Sequence, residues 1–121
     1  MVVDSDRRID PWASQQSTDY ARIRDQFGLG SIDIGKIPNP GILHRRGLIF
    51  AHRDLDVILG CMERSDPFGV LTGLMPSGKM HLGHSMVIDQ VRWFQQQGGD
   101  ITVTVADLEA LATRGTSLKA G

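Results

Sequence analysis

A second cysteine is missing from this sequence. Cys61 stands alone, so no disulfide can close within the chain and no cysteine cluster can hold a metal. A single thiol fits a reducing cytoplasm, and the expectation is a half-buried helix residue. An excess of one charge is also missing: 13 Lys and Arg face 14 Asp and Glu. A dedicated nucleic-acid binder shows a basic surplus, and none is present overall. No apolar run approaches the roughly 20 residues that a membrane-spanning helix needs. The opening "MVVDSDRRID" has no apolar signal core, so a cytoplasmic location is expected and secretion is not. Aromatic residues make up only 6%, and there is no repeat or low-complexity block.

What remains is ordinary globular material. The 121 residues suffice for one small domain, and 40% of them are apolar. Residues 1–16 read as a polar arm with one anchor at Pro11 and Trp12. "STDYARIRDQFG" predicts a short amphipathic helix, capped by Ser17 or Thr18, with Tyr20, Ile23 and Phe27 on one face and Gly28 as its stop. "LGSIDIGKIPNPG" reads as loop. "LIF" at Leu48 to Phe50 leads toward a helix from about Asp54 to Arg64, with Leu55, Ile58, Leu59 and Met62 at helical spacing. "FGVLTGL" predicts a buried strand between Pro67 and Pro76. His84 to Gln97 predicts a helix with Met86, Val87, Val91 and Phe94 inward, ended by Gly98 and Gly99. "DITVTVAD" predicts a second strand, and Asp107 to Thr113 begins another helix.

From Phe68 onward the order is strand, glycine-rich turn, helix, strand. That is a βαβ unit, and it predicts an α/β class with a partial, Rossmann-like parallel sheet. Parallel sheets are covered on both faces and need more than two strands. The expected division is an extension of helix and loop over 1–65, then the first part of the sheet domain over 66–121.

The densest chemistry lies at the strand–helix turn "MPSGKMHLGH", Met75 to His84. Ligands of open parallel sheets bind beyond the carboxyl ends of the strands, where this turn falls. Gly73 and Gly78 allow close backbone approach. The following helix start offers N–H groups and a positive dipole end, which suit a phosphate. His81 and His84 sit there three residues apart, with Gly83 leaving room for a flat ring. Four readings stay open on these residues alone. "GLMPSGKM" matches a P-loop as far as its lysine, but Met80 stands where Ser or Thr should bind magnesium, and Pro76 removes an amide. A metal site lacks a third ligand placed by motif. A nucleotide site built on paired histidines is the third reading. Two histidines that merely cap a helix are the fourth.

"PSGKMHLGH" resembles the class I aminoacyl-tRNA synthetase signature, His-Ile-Gly-His, which here stands as His81-Leu82-Gly83-His84. "HRRGLIFAHRDLDVIL", "DPWASQQSTDYARIRDQFG" and "VADLEALATRG" are similar to stretches of tryptophanyl-tRNA synthetases of the archaeal and eukaryotic type. That resemblance implies activation of tryptophan by ATP with magnesium, then transfer to tRNA(Trp), by a protein that is usually a homodimer. It implies that His81 and His84 hold the ATP phosphates and stabilise the reacting α-phosphate. It places Gly83 beneath adenine, and Pro76, Ser77 and Gly78 around the nucleotide. It makes Glu109 the acceptor for the indole N–H, with Thr72 and Gly73 beside the substrate. The resemblance departs at Leu71, where many eukaryotic-type members carry Tyr, and at Thr104, where they carry Gln. The second class I signature, Lys-Met-Ser-Lys, does not occur in the sequence. The chain is therefore expected to be an N-terminal fragment of a tryptophan–tRNA ligase, poorly active alone. The alternative is a truncated paralogue that binds a nucleotide or a partner without ligase activity.

Overall fold

A computed structural model describes residues 19–76 and 78–114 of the chain. Two compact units are present, Met1–Leu55 and Asp56–Gly121.

In the first unit, α1 spans Tyr20–Gln26. Asp19 caps it, accepting the Arg22 N–H at 2.9 Å, because a short carboxylate satisfies an otherwise orphaned amide. The expected caps, Ser17 and Thr18, lie outside the described residues. Gly28, at φ +61°, reverses the chain. Its N–H reaches Asp25 O, and the Leu29 N–H reaches Arg24 O at 2.9 Å, a closed C-terminal cap. Ile23 and Phe27 are half-buried, whereas Tyr20 is 56% exposed and meets Phe50 with ring centroids 4.8 Å apart.

The stretch expected to be plain loop holds more. β1 (Gly30–Ser31) pairs antiparallel with β2 (Ala51–His52), with Gly30 opposite His52. A Cβ on Gly30 would lie 2.6 Å from the His52 ring, so a larger residue there would have to displace that ring. A single 3₁₀ turn covers Ile34–Lys36, capped by Asp33. α2 (Ile42–Arg45) is one helical turn, closed by Gly47 at φ +67°. Among the described residues of this unit, Ile37 and His44 are the buried ones, 5% and 6% exposed.

α3 spans Leu55–Arg64, entering the second unit at Asp56, with Leu59 buried and Leu55, Ile58 and Met62 half-buried. The helical spacing read from the sequence is the spacing found. β3 (Gly69–Leu74) and β4 (Asp100–Val105) pair in parallel, in register from Gly69 opposite Asp100 to Leu74 opposite Val105. Between them runs α4, Leu82–Gln96, which packs on both strands. α5, Asp107–Arg114, follows β4. The α/β class with a parallel sheet is therefore present.

Two details differ from expectation. The strands are not buried on both faces: Leu71 is 73% exposed, Val103 48% and Val105 62%. Among the described residues this sheet has two strands, and one helix cannot cover both faces. Within α4, Val87 faces outward at 36% exposure, and Trp93 is the buried residue at 5%. Trp93 and Phe94 pack at 4.8 Å, and Phe94 meets Phe68 edge-on at 6.4 Å. Gly99 completes this corner: a Cβ there would lie 2.7 Å from the Phe68 ring and 3.0 Å from Phe94 O.

Candidate functional site

Because β3 and β4 are parallel, their carboxyl ends share one edge of the sheet. The turn into α4 leaves the end of β3, and α5 begins one residue after β4, so both helices start at that edge. Pro76 is half-buried in the first turn. Ser77 lies outside the described residues. Gly78 has φ +153°, a conformation that side chains disfavour, and nothing crowds it. Lys79 and Met80 are exposed.

His81 is the N-cap of α4 in extended conformation. Its Nδ1 accepts the Gly83 N–H at 3.1 Å. His84, at the third helical position, returns its own Nδ1 to the His81 N–H at 3.3 Å. The two rings lie 4.0 Å apart, tilted by 53°. This is the reciprocal geometry of a capping box, made by imidazoles instead of a hydroxyl and a carboxylate. The expected pairing is thus real, and the helix-capping reading is realised with it. Capping uses only one nitrogen of each ring, so it leaves a nitrogen on each for a ligand.

The free helix amides expected from sequence are mostly taken. His84 N–H and Ser85 N–H both reach His81 O, at 3.0 and 3.3 Å. Gly83 N–H goes to the His81 ring. Among the first helical amides only that of Leu82 has no partner within the described residues. Gly83 has a local reason for being glycine: a Cβ there would sit 3.0 Å from His81 Cε1 and 3.1 Å from its Nδ1.

Glu109 is exposed in the first turn of α5, at the same sheet edge. Thr72 and Gly73 lie near the end of β3. Thr104 Oγ1 donates to Thr72 O at 3.2 Å and stands 3.1 Å from where a Gly73 Cβ would be. In the first unit, His44 and His52 each make the same kind of bond. His44 Nδ1 accepts the Gly41 N–H, and His52 Nδ1 accepts the Leu55 N–H, both at 3.2 Å. A histidine three residues from a helix start was the signal available in sequence for both. Among the described residues no three His, Cys, Asp or Glu side chains come together to hold a metal ion, and no helix is long and apolar enough to cross a membrane.

Comparison with known proteins bears on this arrangement. Residues 63–120 match the family model of class I tRNA synthetases (W and Y). The tryptophan–tRNA ligase of Methanosarcina acetivorans is 44% identical over 114 residues, covering 93% of this chain and 26% of that protein. That of Thermoplasma acidophilum is 45% identical over 111 residues, covering 92% and 25%. The crystal structure of tryptophanyl-tRNA synthetase from Aeropyrum pernix superposes with a TM-score of 0.73 at 39% identity, over 90% of this chain and 31% of that one. The Encephalitozoon cuniculi tryptophanyl-tRNA synthetase, bound to tryptophan, gives 0.73 at 26% identity, over 85% and 31%. The chain thus spans 25–26% of the length of these two ligases. With its signature histidines at the start of α4 and this similarity running along nine tenths of its residues, the chain belongs to the tryptophanyl-tRNA synthetase family of class I.

Proposed function

We propose that this chain supplies the nucleotide-binding start of a tryptophan–tRNA ligase. In that reaction the carboxylate of tryptophan attacks the α-phosphorus of ATP. A carboxylate-to-phosphorus bond forms, the bond to the leaving pyrophosphate breaks, and tryptophanyl-adenylate results. The tryptophanyl group then passes to tRNA(Trp). The attacking group is already an anion, so no strong base is required, and positioning with charge stabilisation carries the catalysis. His81 and His84 would hold the phosphates, with Pro76, Ser77 and Gly78 shaping the loop. Gly83 would leave the helix start open to adenine, and Glu109, Thr72 and Gly73 would serve the amino acid. In this reading magnesium accompanies the triphosphate, since the ion is commonly bound by substrate phosphates together with one or two carboxylates. The proposal includes a cytoplasmic protein, in keeping with its single cysteine, and the homodimer implied by resemblance.

The observation that carries this reading is the paired imidazoles, 4.0 Å apart, at the carboxyl edge of a parallel sheet. Ligand binding to the folded state raises its unfolding temperature. MgATP should therefore raise the melting temperature of the chain, and His84→Ala should abolish the rise. Tryptophan-dependent exchange of pyrophosphate into ATP tests the activation step itself. An unchanged melting temperature with MgATP would sink the proposal.

A further inference from the structure

We infer that the loop closed by β1 and β2 is a surface for RNA phosphates, with Lys36, Arg45 and Arg46 as its cations. It deepens the ligase reading above and rests on it for tRNA as the RNA.

The near-neutral charge of the whole chain hides a division. Over residues 19–55, six Arg and Lys face four Asp. Over residues 56–114, four Arg and Lys face seven Asp and Glu. Opposite signs in two parts of a chain give the positive part a polyanion as its complement. Local structure sharpens the contrast. Asp19 accepts the Arg22 N–H, Asp33 accepts the Gly35 N–H, and Asp25 pairs with Arg24 at 2.8 Å. Three of the four carboxylates are thus engaged in caps or in one ion pair. Arg22, Lys36, Arg45, Arg46 and Arg53 are exposed, and none is in an ion pair among the described residues.

Three of these cations sit in one loop. The strand pair holds Ser31 opposite Ala51, so residues 32–50 leave and return at one place. Ile37 and His44 are buried within it, and Gly47 turns its chain at φ +67°. Lys36 ends the 3₁₀ turn, Arg45 ends α2, and Arg46 is the C-cap of α2. Asp33 is the loop's one carboxylate in sequence, and it is spent on the loop's own backbone. Loops held at both ends by a scaffold are where binding residues concentrate.

Ordering a long side chain on binding costs up to about 2 kcal/mol, so a donor already held is worth more than a loose one. Arg45 is held: its Nη1 donates to Pro40 O at 2.6 Å. A guanidinium carries five N–H donors, and the others remain for a phosphate. A helix C-terminus also attracts cations through its dipole. That explanation is insufficient here, because α2 has only four residues and Lys36 lies outside it.

The test uses the 121-residue chain and a fluorescent tRNA(Trp) transcript, with anisotropy read between about 50 and 200 mM salt. Phosphate contacts release counterions, so wild-type affinity should fall as salt rises. Lys36→Gln and Arg46→Gln remove side chains that are in no ion pair among the described residues, so each should keep the melting temperature. Each should weaken binding several-fold and flatten the log–log salt slope by about 1, and the double variant by about 2. Arg92→Gln removes an exposed cation of α4 and should change neither quantity. No tRNA binding by the wild type, or wild-type binding by the double variant, overturns the inference. An equal loss in Arg92→Gln overturns it as well, since net charge alone would then set affinity. Equally tight binding to phosphatidylserine vesicles, lost in the same variants, overturns the assignment to RNA. The ligase reading fails separately: a wild type that binds tRNA through the loop but gains no melting temperature from MgATP defeats that reading and leaves the RNA surface standing.

Discussion

Thr104 stands over Gly73 across the β3–β4 pair, its hydroxyl donating to Thr72 O at 3.2 Å and lying 3.1 Å from the position of a Gly73 Cβ. The pair locks the ends of the two strands at the edge from which α4 and α5 depart. Gly73→Ala should therefore destabilise the fold by about 1–2 kcal/mol, because the new methyl presses on an engaged hydroxyl. Thr104→Ala alone removes one exposed hydrogen bond and should cost about 0.5–1 kcal/mol. The double variant should lose less than the sum, since Thr104→Ala removes the atom that the Gly73 methyl strikes. Urea unfolding of the four proteins measures the coupling, and strict additivity would refute the contact.

Gly99 offers a harsher case in the same unit. Its absent Cβ leaves space for the Phe68 ring at 2.7 Å and for Phe94 O at 3.0 Å. Neither neighbour can retreat easily: Phe68 and Phe94 already pack against each other, and Phe94 O accepts the Gly99 N–H. Gly99→Ala should lower stability by about 2 kcal/mol or more. Gly69→Ala is the control, since its Cβ would meet only Asp100 O at 4.0 Å. Thermal unfolding followed by Trp93 fluorescence reads both.

What the sequence revealed and what it hid follow from the range of the interactions. α3 and α4 announce themselves because apolar residues recur at helical spacing and glycines end α4. βαβ order follows from an apolar run, a glycine-rich turn and a second apolar run. β1 and β2 were invisible because two residues carry no periodicity. Their pairing depends on Gly30 meeting His52, 22 positions away in sequence. α2 was hidden for a related reason: one turn of helix among Pro38, Pro40 and Gly47 has too few residues for a pattern. At the site, the histidine pair and its spacing were legible. The direction of each Nδ1 was not, because it depends on how the backbone enters α4.

His44 predicts a dependence of stability on pH. It is 6% exposed, and burial lowers its pKa below the usual 6.5. The unfolded chain then binds a proton more readily than the folded one, so acid favours unfolding. The contribution is complete above the unfolded value of 6.5 and is lost as pH falls from there through the lowered folded value. His44→Asn keeps an acceptor for the Gly41 N–H but does not titrate. Urea unfolding at about pH 7.5 and about pH 5.5 should show a larger loss for the wild type than for this variant. Equal losses would show that His44 is not protonated on unfolding.

Gly83 separates helix stability from ligand binding. Two explanations of this glycine compete: room for a flat ligand ring, and room for the His81 ring that lies 3.0 Å from its missing Cβ. Replacing glycine by alanine inside a helix gains about 1 kcal/mol of propensity. Displacing His81 from the cap costs about 1 kcal/mol in return. Gly83→Ala should therefore leave the melting temperature nearly unchanged. Binding of MgATP should fall, because the displaced His81 ring is no longer held in place at the start of α4. The decisive comparison adds His81→Ala. If Gly83 serves His81, the alanine at 83 should raise stability once His81 is gone, and MgATP binding should be no worse in the double variant than in His81→Ala. If Gly83 serves only the ligand ring, the alanine should weaken MgATP binding by the same factor whether or not His81 is present.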